Sequence, residues 1–282
     1  SHLVGIWSRF TNLMQRDIKL AIVLDGQAPD LKLTEATSRH ERKKEAEEKY
    51  QQAREEENTE KMALYAKQFT RLTKEMTGEA AKLLTAMGLP VIQAPEEADA
   101  QMAYMNKQGN VWASGSSDYD CLIHGAPRLL TNLTLSQKKR TPSGAVIKIH
   151  PYLIELEEVL KTTKITQEQL ICLAIIVGTD YNEGVHGYGP KKALKAVQTH
   201  EDPEELFSAL DTDFDWREVY NIFTKMKVQK KYVLVWNEPD AEKIRELLVE
   251  EHNFSEERVN ATLEKLQKGR AVNQKGLHEW FK

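Results

Sequence analysis

Cysteine is nearly absent. Cys121 and Cys172 are the only two in 282 residues, and their unrelated contexts exclude a disulfide framework and a thiolate metal site. No apolar run approaches the roughly 20 residues of a membrane-spanning helix. Nor is there a surplus of charge of one sign: 39 Lys and Arg stand against 43 Asp and Glu, a net charge of −4. The overall basicity common in nucleic-acid-binding domains is therefore missing. That total does not exclude a DNA partner, because carboxylates that hold divalent cations reverse the charge of their own surface. With 14 glycines and 9 prolines there is no low-complexity linker, and no internal repeat is found.

What is present is 40% hydrophobic residues, enough for a sizeable core, together with basic clusters. The clusters lie at Arg39 to Lys44, at Gln137 to Arg140, at Lys191, Lys192 and Lys195, and at Lys225 to Lys231. Five strands are predicted: KLAIVLD (19–25), LPVIQ (89–93), NVWASGSSD (110–118), RLLTNL (128–133) and AVIKIH (145–150). The last is closed by Pro151, and the chain beyond it reads as helical to about residue 265. Residues from about 31 to 87, rich in Glu, Lys, Arg, Gln and Ala, read as long helices ending near Gly88. Pro95 is expected to open a helix reaching about Gln108. Ser1 to Trp7 reads as the middle of an amphipathic helix, with the expectation that residues precede it. The pattern predicts an α/β fold, a mostly parallel central sheet flanked by helices.

In such sheets the ligand site lies at the carboxyl ends of the strands, and acids gather there. Asp25 ends the first predicted strand, Glu97 and Asp99 follow the second, and Asp118 and Asp120 end the third. Two residues apart in extended chain, Asp118 and Asp120 would project to one side. Asp180 follows the apolar helix ICLAIIVGTD. A single acid at a strand end is ordinarily a turn or helix-cap residue, and Glu97 would suit a helix N-terminus. Three successive strand ends bearing acids point further. An oxygen-only donor set suits Mg²⁺ or Mn²⁺, and paired ions of that kind serve phosphoryl displacement.

The run GVHGYGPKKALKAV places Gly187 and Gly189 before Pro190, Lys191 and Lys192. Glycines allow close backbone approach, a helix start offers N–H groups, and the lysines add charge. This is the logic of a helix-hairpin-helix gripping a DNA backbone, although an ordinary Gly-Pro helix start reads the same way. Lys32 and Arg39, seven apart, share a helix face; taken alone they are most simply solvated charges. His124, His150 and His186 lack metal-ligand spacing.

Four ordered segments then become specific together: VLDG at Asp25, QAPEEADAQMAYM around Glu97 and Asp99, SSDYDCLIHGAPRLLTNLT around Asp118 and Asp120, and VGTDYNEGVHGYGPKKAL around Asp180. They resemble the flap endonucleases, structure-specific 5′ nucleases of the archaeal and eukaryotic type, over essentially the whole chain. The resemblance implies that Asp25, Glu97, Asp99, Asp118, Asp120 and Asp180 are metal-site acids for two Mg²⁺ ions, with Mn²⁺ a substitute. It implies that Lys32 and Arg39 are the basic pair that contacts the scissile phosphate, and that Gly187, Gly189, Lys191 and Lys192 bind DNA. It also places an arch that admits a single-stranded 5′ flap within about residues 31–76, and the helix-hairpin-helix within about 167–199.

The C-terminal QKGLHEWF resembles the motif by which such enzymes dock on the replication sliding clamp, with Gln274, Leu277, Trp280 and Phe281 as an apolar plug and its polar anchor. The expected organisation is one nuclease domain over 1–268 and a clamp-binding tail over 269–282. A monomer with no membrane partner is expected, located in an archaeal cytoplasm, or in a nucleus if the source is eukaryotic. The family carries a further catalytic Asp on an N-terminal strand that has no counterpart before Asp25. The alternative expectation is therefore a catalytically inactive, clamp-tethered module that binds DNA structure.

Overall fold

The computed structural model describes residues 2–27, 29–32, 49, 51, 73–133, 138–140, 145–210 and 212–269. Arg39, most of the expected arch, and the tail with Gln274, Leu277, Trp280 and Phe281 lie outside the described residues. The chain divides into two compact units, one over 1–26, 74–159 and 227–282, the other over 27–73 and 160–226.

The first unit holds the sheets. Strand β1 (Ile22–Leu24) pairs in parallel with β2 (Val91–Gln93), so that both strands present their carboxyl ends on one rim. Strand β3 (Ser114–Gly115) runs parallel to β4 (Arg128–Thr131). A hairpin of β5 (Lys138–Arg140) and β6 (Val146–Lys148) forms its own two-stranded sheet, with Val146 and Ile147 exposed. Strand β7 (Tyr152–Glu155) pairs antiparallel to β4.

The strand predicted over 19–25 contracts because the Leu20 carbonyl accepts the Trp236 indole N–H at 2.7 Å instead of a ladder bond. The strand predicted over 110–118 contracts to two residues because the buried Asn106 amide donates to the Val111 and Trp112 carbonyls at 3.0 and 2.9 Å, occupying acceptors that a strand would use. Residues 152–155, read as helical, form β7 because the free edge of β4 takes them up, with Arg128 Nε 3.4 Å from Glu155 Oε1 across the pair. The 145–150 segment pairs with β5 rather than with the other strands. Among the described residues the pairings are thus two parallel and two antiparallel, in three sheets.

Helices complete the unit: α1 (His2–Met14), α2 (Lys74–Ala86), α3 (Ala98–Lys107) and the short α4 (Asp120–Ile123). Helix α3 starts at Ala98, not at Pro95, which lies in a bend. The helix expected at the N-terminus is present as α1. Leu3 and Trp7 of α1 pack with Leu83, Leu84 and Met87 at α2 and with Ile244, Leu248, Val259 and Leu263 from the C-terminal helices. Each such large apolar side chain contributes roughly 1.5–3 kcal/mol on full burial.

Helix α5 (Leu156–Thr163) crosses the boundary between the units. In the second unit, α6 (Gln167–Val177) and α7 (Pro190–Thr199) flank the glycine hairpin. Helix α8 (Pro203–Leu210) supplies Phe207, which stacks on Trp216 of α9 (Trp216–Lys225) at 4.4 Å. The chain then returns to the first unit as an irregular run to Asp240, laced down by the Gln101 side chain. Fully buried, that amide donates to the Gln229 carbonyl at 3.0 Å and accepts its N–H at 2.6 Å. Helix α10 (Ala241–Arg245) widens into a π turn over Glu246–Glu251, and α11 (Glu256–Gly269) follows.

Candidate active site

Asp25 follows β1 directly, and its carboxylate accepts the Ala98 N–H at 2.9 Å. It therefore caps α3 from another element, where the aligned peptide dipoles favour an anion. Glu97 is the N-cap residue of that helix by backbone position, but its side chain makes no cap bond. Asp25 performs the capping in its place. The loops after β1 and β2 cross closely: the Gly26 N–H donates to the Glu96 carbonyl, and a Cβ on Gly26 would overlap the carbonyl oxygens of Ala94 and Pro95. Only glycine permits that crossing, and the crossing sets Asp25 beside the start of α3.

Asp99 sits in the first turn of α3 and is half-buried. Burial holds its carboxyl above the ordinary carboxylate range, and the negative charges of Asp118 and Asp25 push in the same direction. Hydrogen bonds from Cys121 and Ser116 pull the other way. The Cys121 thiol is fully buried and donates to Asp99 Oδ1 at 2.9 Å. Burial, then the Asp99 charge, raises that thiol far above its usual value, so it is a donor and not a nucleophile.

Asp118 and Asp120 are placed differently from the sequence expectation. Asp118 lies in an exposed bend beyond β3, where its N–H donates to Ser116 Oγ at 3.1 Å and its carboxylate accepts the Tyr119 N–H at 3.2 Å. Asp120 opens α4. The two acids are therefore not side by side on an extended strand; a turn and a helix start orient them. Asp25, Asp99 and Asp118 still interact electrostatically. Among the described residues, no three His, Cys, Asp or Glu side chains are grouped so that they could hold a metal ion. The donor chemistry nevertheless fits a hard divalent cation, since carboxylates that repel one another gain from a shared positive charge.

In the second unit, Asp180 sits in a tight turn between Thr179 and Asn182. The Thr179 N–H donates to the Asn182 carbonyl at 3.0 Å, Thr179 Oγ1 donates to Asn182 Oδ1 at 2.8 Å, and Asn182 Nδ2 donates to the Ile175 carbonyl at 2.7 Å. The turn closes at Gly184 (φ +85°), where a Cβ would lie 2.7 Å from the Val177 carbonyl oxygen. Lys32, at the end of a 3₁₀ turn (Asp30–Lys32), places Nζ 3.0 Å from Asp180 Oδ2. That 3₁₀ turn stands where a long helix was expected to begin.

The hairpin follows. Gly187 has φ +78°, Gly189 is the N-cap of α7, and Pro190 is its first residue. Lys191 and Lys192 are exposed. Lys192 Nζ lies 3.3 Å from the Gly187 carbonyl oxygen and 3.9 Å from the centroid of the Tyr188 ring. Gln169, the partner of Thr166 in a capping box on α6, donates to the Val197 carbonyl at 2.6 Å, which fastens the start of α6 to the end of α7.

Sequence reading missed Cys121, Ser116, Gln101, Thr179 and Asn182. Each acts through a partner that folding brings near, and the only local signal was their position within the acid-bearing segments.

The XPG I-region family model matches residues 88–180. The chain is similar to flap endonuclease 1 of Pyrococcus horikoshii, 46% identical over 284 residues that span 100% of this chain and 82% of that protein. It is also similar to the solved flap endonuclease-1 from Methanococcus jannaschii, with 38% identity, a TM-score of 0.72, and coverage of 95% of this chain and 81% of that one. The catalytic core of Rad2, solved in complex with a DNA substrate, shares the fold at 21% identity and a TM-score of 0.69, covering 94% of this chain and 84% of that one. By identity and coverage, the chain belongs to the flap endonuclease family.

Proposed function

We propose that this chain is a divalent-metal-dependent, structure-specific nuclease that removes 5′ flaps at junctions of single-stranded and duplex DNA, by hydrolysis of a phosphodiester bond, in replication and repair. The observation that carries the reading is the half-buried carboxylate of Asp99, opposed by the charges of Asp118 and Asp25 at the start of α3. Asp25, Glu97, Asp99, Asp118, Asp120 and Asp180 are assigned as metal acids, with two Mg²⁺ ions as the resident cations and Mn²⁺ able to substitute. Bound there, such cations supply a hydroxide nucleophile and stabilise the oxygens of an in-line displacement. Lys32 and Arg39 orient the phosphate and stabilise developing negative charge. Gly187, Gly189, Lys191 and Lys192 hold the duplex by its backbone, and the segment after Arg39 admits the free 5′ end. Gln274, Leu277, Trp280 and Phe281 dock the protein on a sliding clamp.

The test is cleavage of a labelled 5′-flap duplex beside a blunt duplex, with Mg²⁺ and with chelator. Cutting confined to the flap junction and lost with chelator is expected. Asp118→Ala or Asp180→Ala should abolish cutting while leaving flap binding nearly intact; normal cutting by either variant would show the assignment wrong.

A further inference from the structure

Helices α3 and α4 carry three of the candidate metal acids, Asp99 on α3, Asp120 on α4 and Glu97 at the α3 N-cap, yet the acids repel and cannot fix one another's positions. The Cys121 side chain joins the two helices at this point. Cys121 follows Asp120 in the first turn of α4, and its Sγ lies 2.9 Å from Asp99 Oδ1. It is 0% exposed, so neither water nor an oxidant in solution competes for the hydrogen bond. Ser114, on β3, and Asp120 also act on the thiol. A buried thiol ordinarily serves as a small hydrophobe. Here it spends its proton on one oxygen of a carboxylate, an arrangement that sets which lone pairs remain for a cation. Groups that hydrogen-bond to metal ligands fix the ligands' orientation, and their loss weakens metal affinity or activity, typically by about 10–100-fold.

We propose that Cys121 is a positioning residue for the metal site, holding Asp99 through an S–H···O bond and keeping it in register with Asp120. This rests on the assignment of Asp99 to that site. A thiol is a weak donor, which puts the expected effect at the lower end of that range.

Mn²⁺ binding to the full chain without DNA, followed by the electron paramagnetic resonance signal of free Mn²⁺, reads the role without any turnover. Cys121→Ala should bind Mn²⁺ about tenfold more weakly than the parent, and Cys121→Ser, which retains an O–H donor, should stay within about twofold. In flap cleavage, Cys121→Ala should need more Mg²⁺ for its half-maximal rate while its KM for the flap duplex is unchanged. Should alanine's smaller volume cost the fold, Cys121→Val removes the donor while keeping the space filled and replaces alanine in the comparison. Parental Mn²⁺ affinity in a folded donor-free variant overturns the proposal. So does equal weakening in the serine and donor-free variants, since that pattern reports packing and not a hydrogen bond. Asp99→Ala is measured in parallel. If it too binds Mn²⁺ as the parent does, the site assignment itself fails and the proposal falls with it.

Discussion

Lys32 Nζ lies 3.0 Å from Asp180 Oδ2 and 5.8 Å from the centroid of the Tyr181 ring. The ion pair joins a candidate phosphate-binding cation to a candidate metal acid, so each holds the other in place. Lys32→Ala should lower the single-turnover rate of flap cleavage by about 10²–10³-fold, the scale of losing one group that stabilises developing charge, with little change in flap affinity. Its thermal stability should hardly move, because partly exposed pairs contribute only about 0.2–1 kcal/mol. A parental cleavage rate would remove Lys32 from the phosphate-handling residues.

Asp99 makes the metal-free protein sensitive to pH. Its folded carboxyl keeps the proton above the unfolded value of 3.8. Stability is therefore lost as pH rises from 3.8 through the folded value. Asp99→Asn should raise the thermal midpoint in chelator at pH 7 and leave it unchanged at pH 3. The same substitution should reduce the stabilisation that added Mg²⁺ gives the parent. Differential scanning calorimetry at the two pH values measures both effects.

Lys191 and Lys192 are exposed at the start of α7, where each would neutralise a phosphate. Replacing either with alanine should weaken binding equally for duplexes of different sequence. It should also reduce the slope of log affinity against log salt by about 0.9 for each phosphate left without its lysine. Fluorescence anisotropy across a salt series provides that slope. An unchanged slope would place the duplex elsewhere.

Gly26→Ala forces a methyl group against the Ala94 and Pro95 carbonyls, where the loops carrying Asp25 and Glu97 cross. Backbone must shift to accommodate it, at a cost of about 1–3 kcal/mol. Chemical denaturation should show that loss, and flap cleavage should need more Mg²⁺ for its half-maximal rate. An alanine variant of parental stability would mean that the crossing has room for a methyl group after all.

Asp25 and Asp180 stand out in the sequence because each follows an apolar run, and a carboxylate after such a run is a local event. Asp25 after β1 and the glycine-proline start of α7 were readable for the same reason: turn chemistry and helix capping are decided within a few residues. The family was legible because four segments occur in order, which short-range chemistry alone does not require.

Strand lengths and partners were not legible. Whether Val111 and Trp112 join a strand depends on Asn106 reaching their carbonyls, and whether Tyr152–Glu155 is a strand depends on an open edge at β4. Backbone polar groups must be satisfied, but by whichever partner folding delivers. The same holds at the site. Sequence supplied the identities of Asp99 and Asp120, whereas the placing of a buried thiol between their helices, and of Lys32 against Asp180, was decided only by tertiary structure. Charge and donor chemistry are carried by the residue; orientation and desolvation exist only once distant segments have packed.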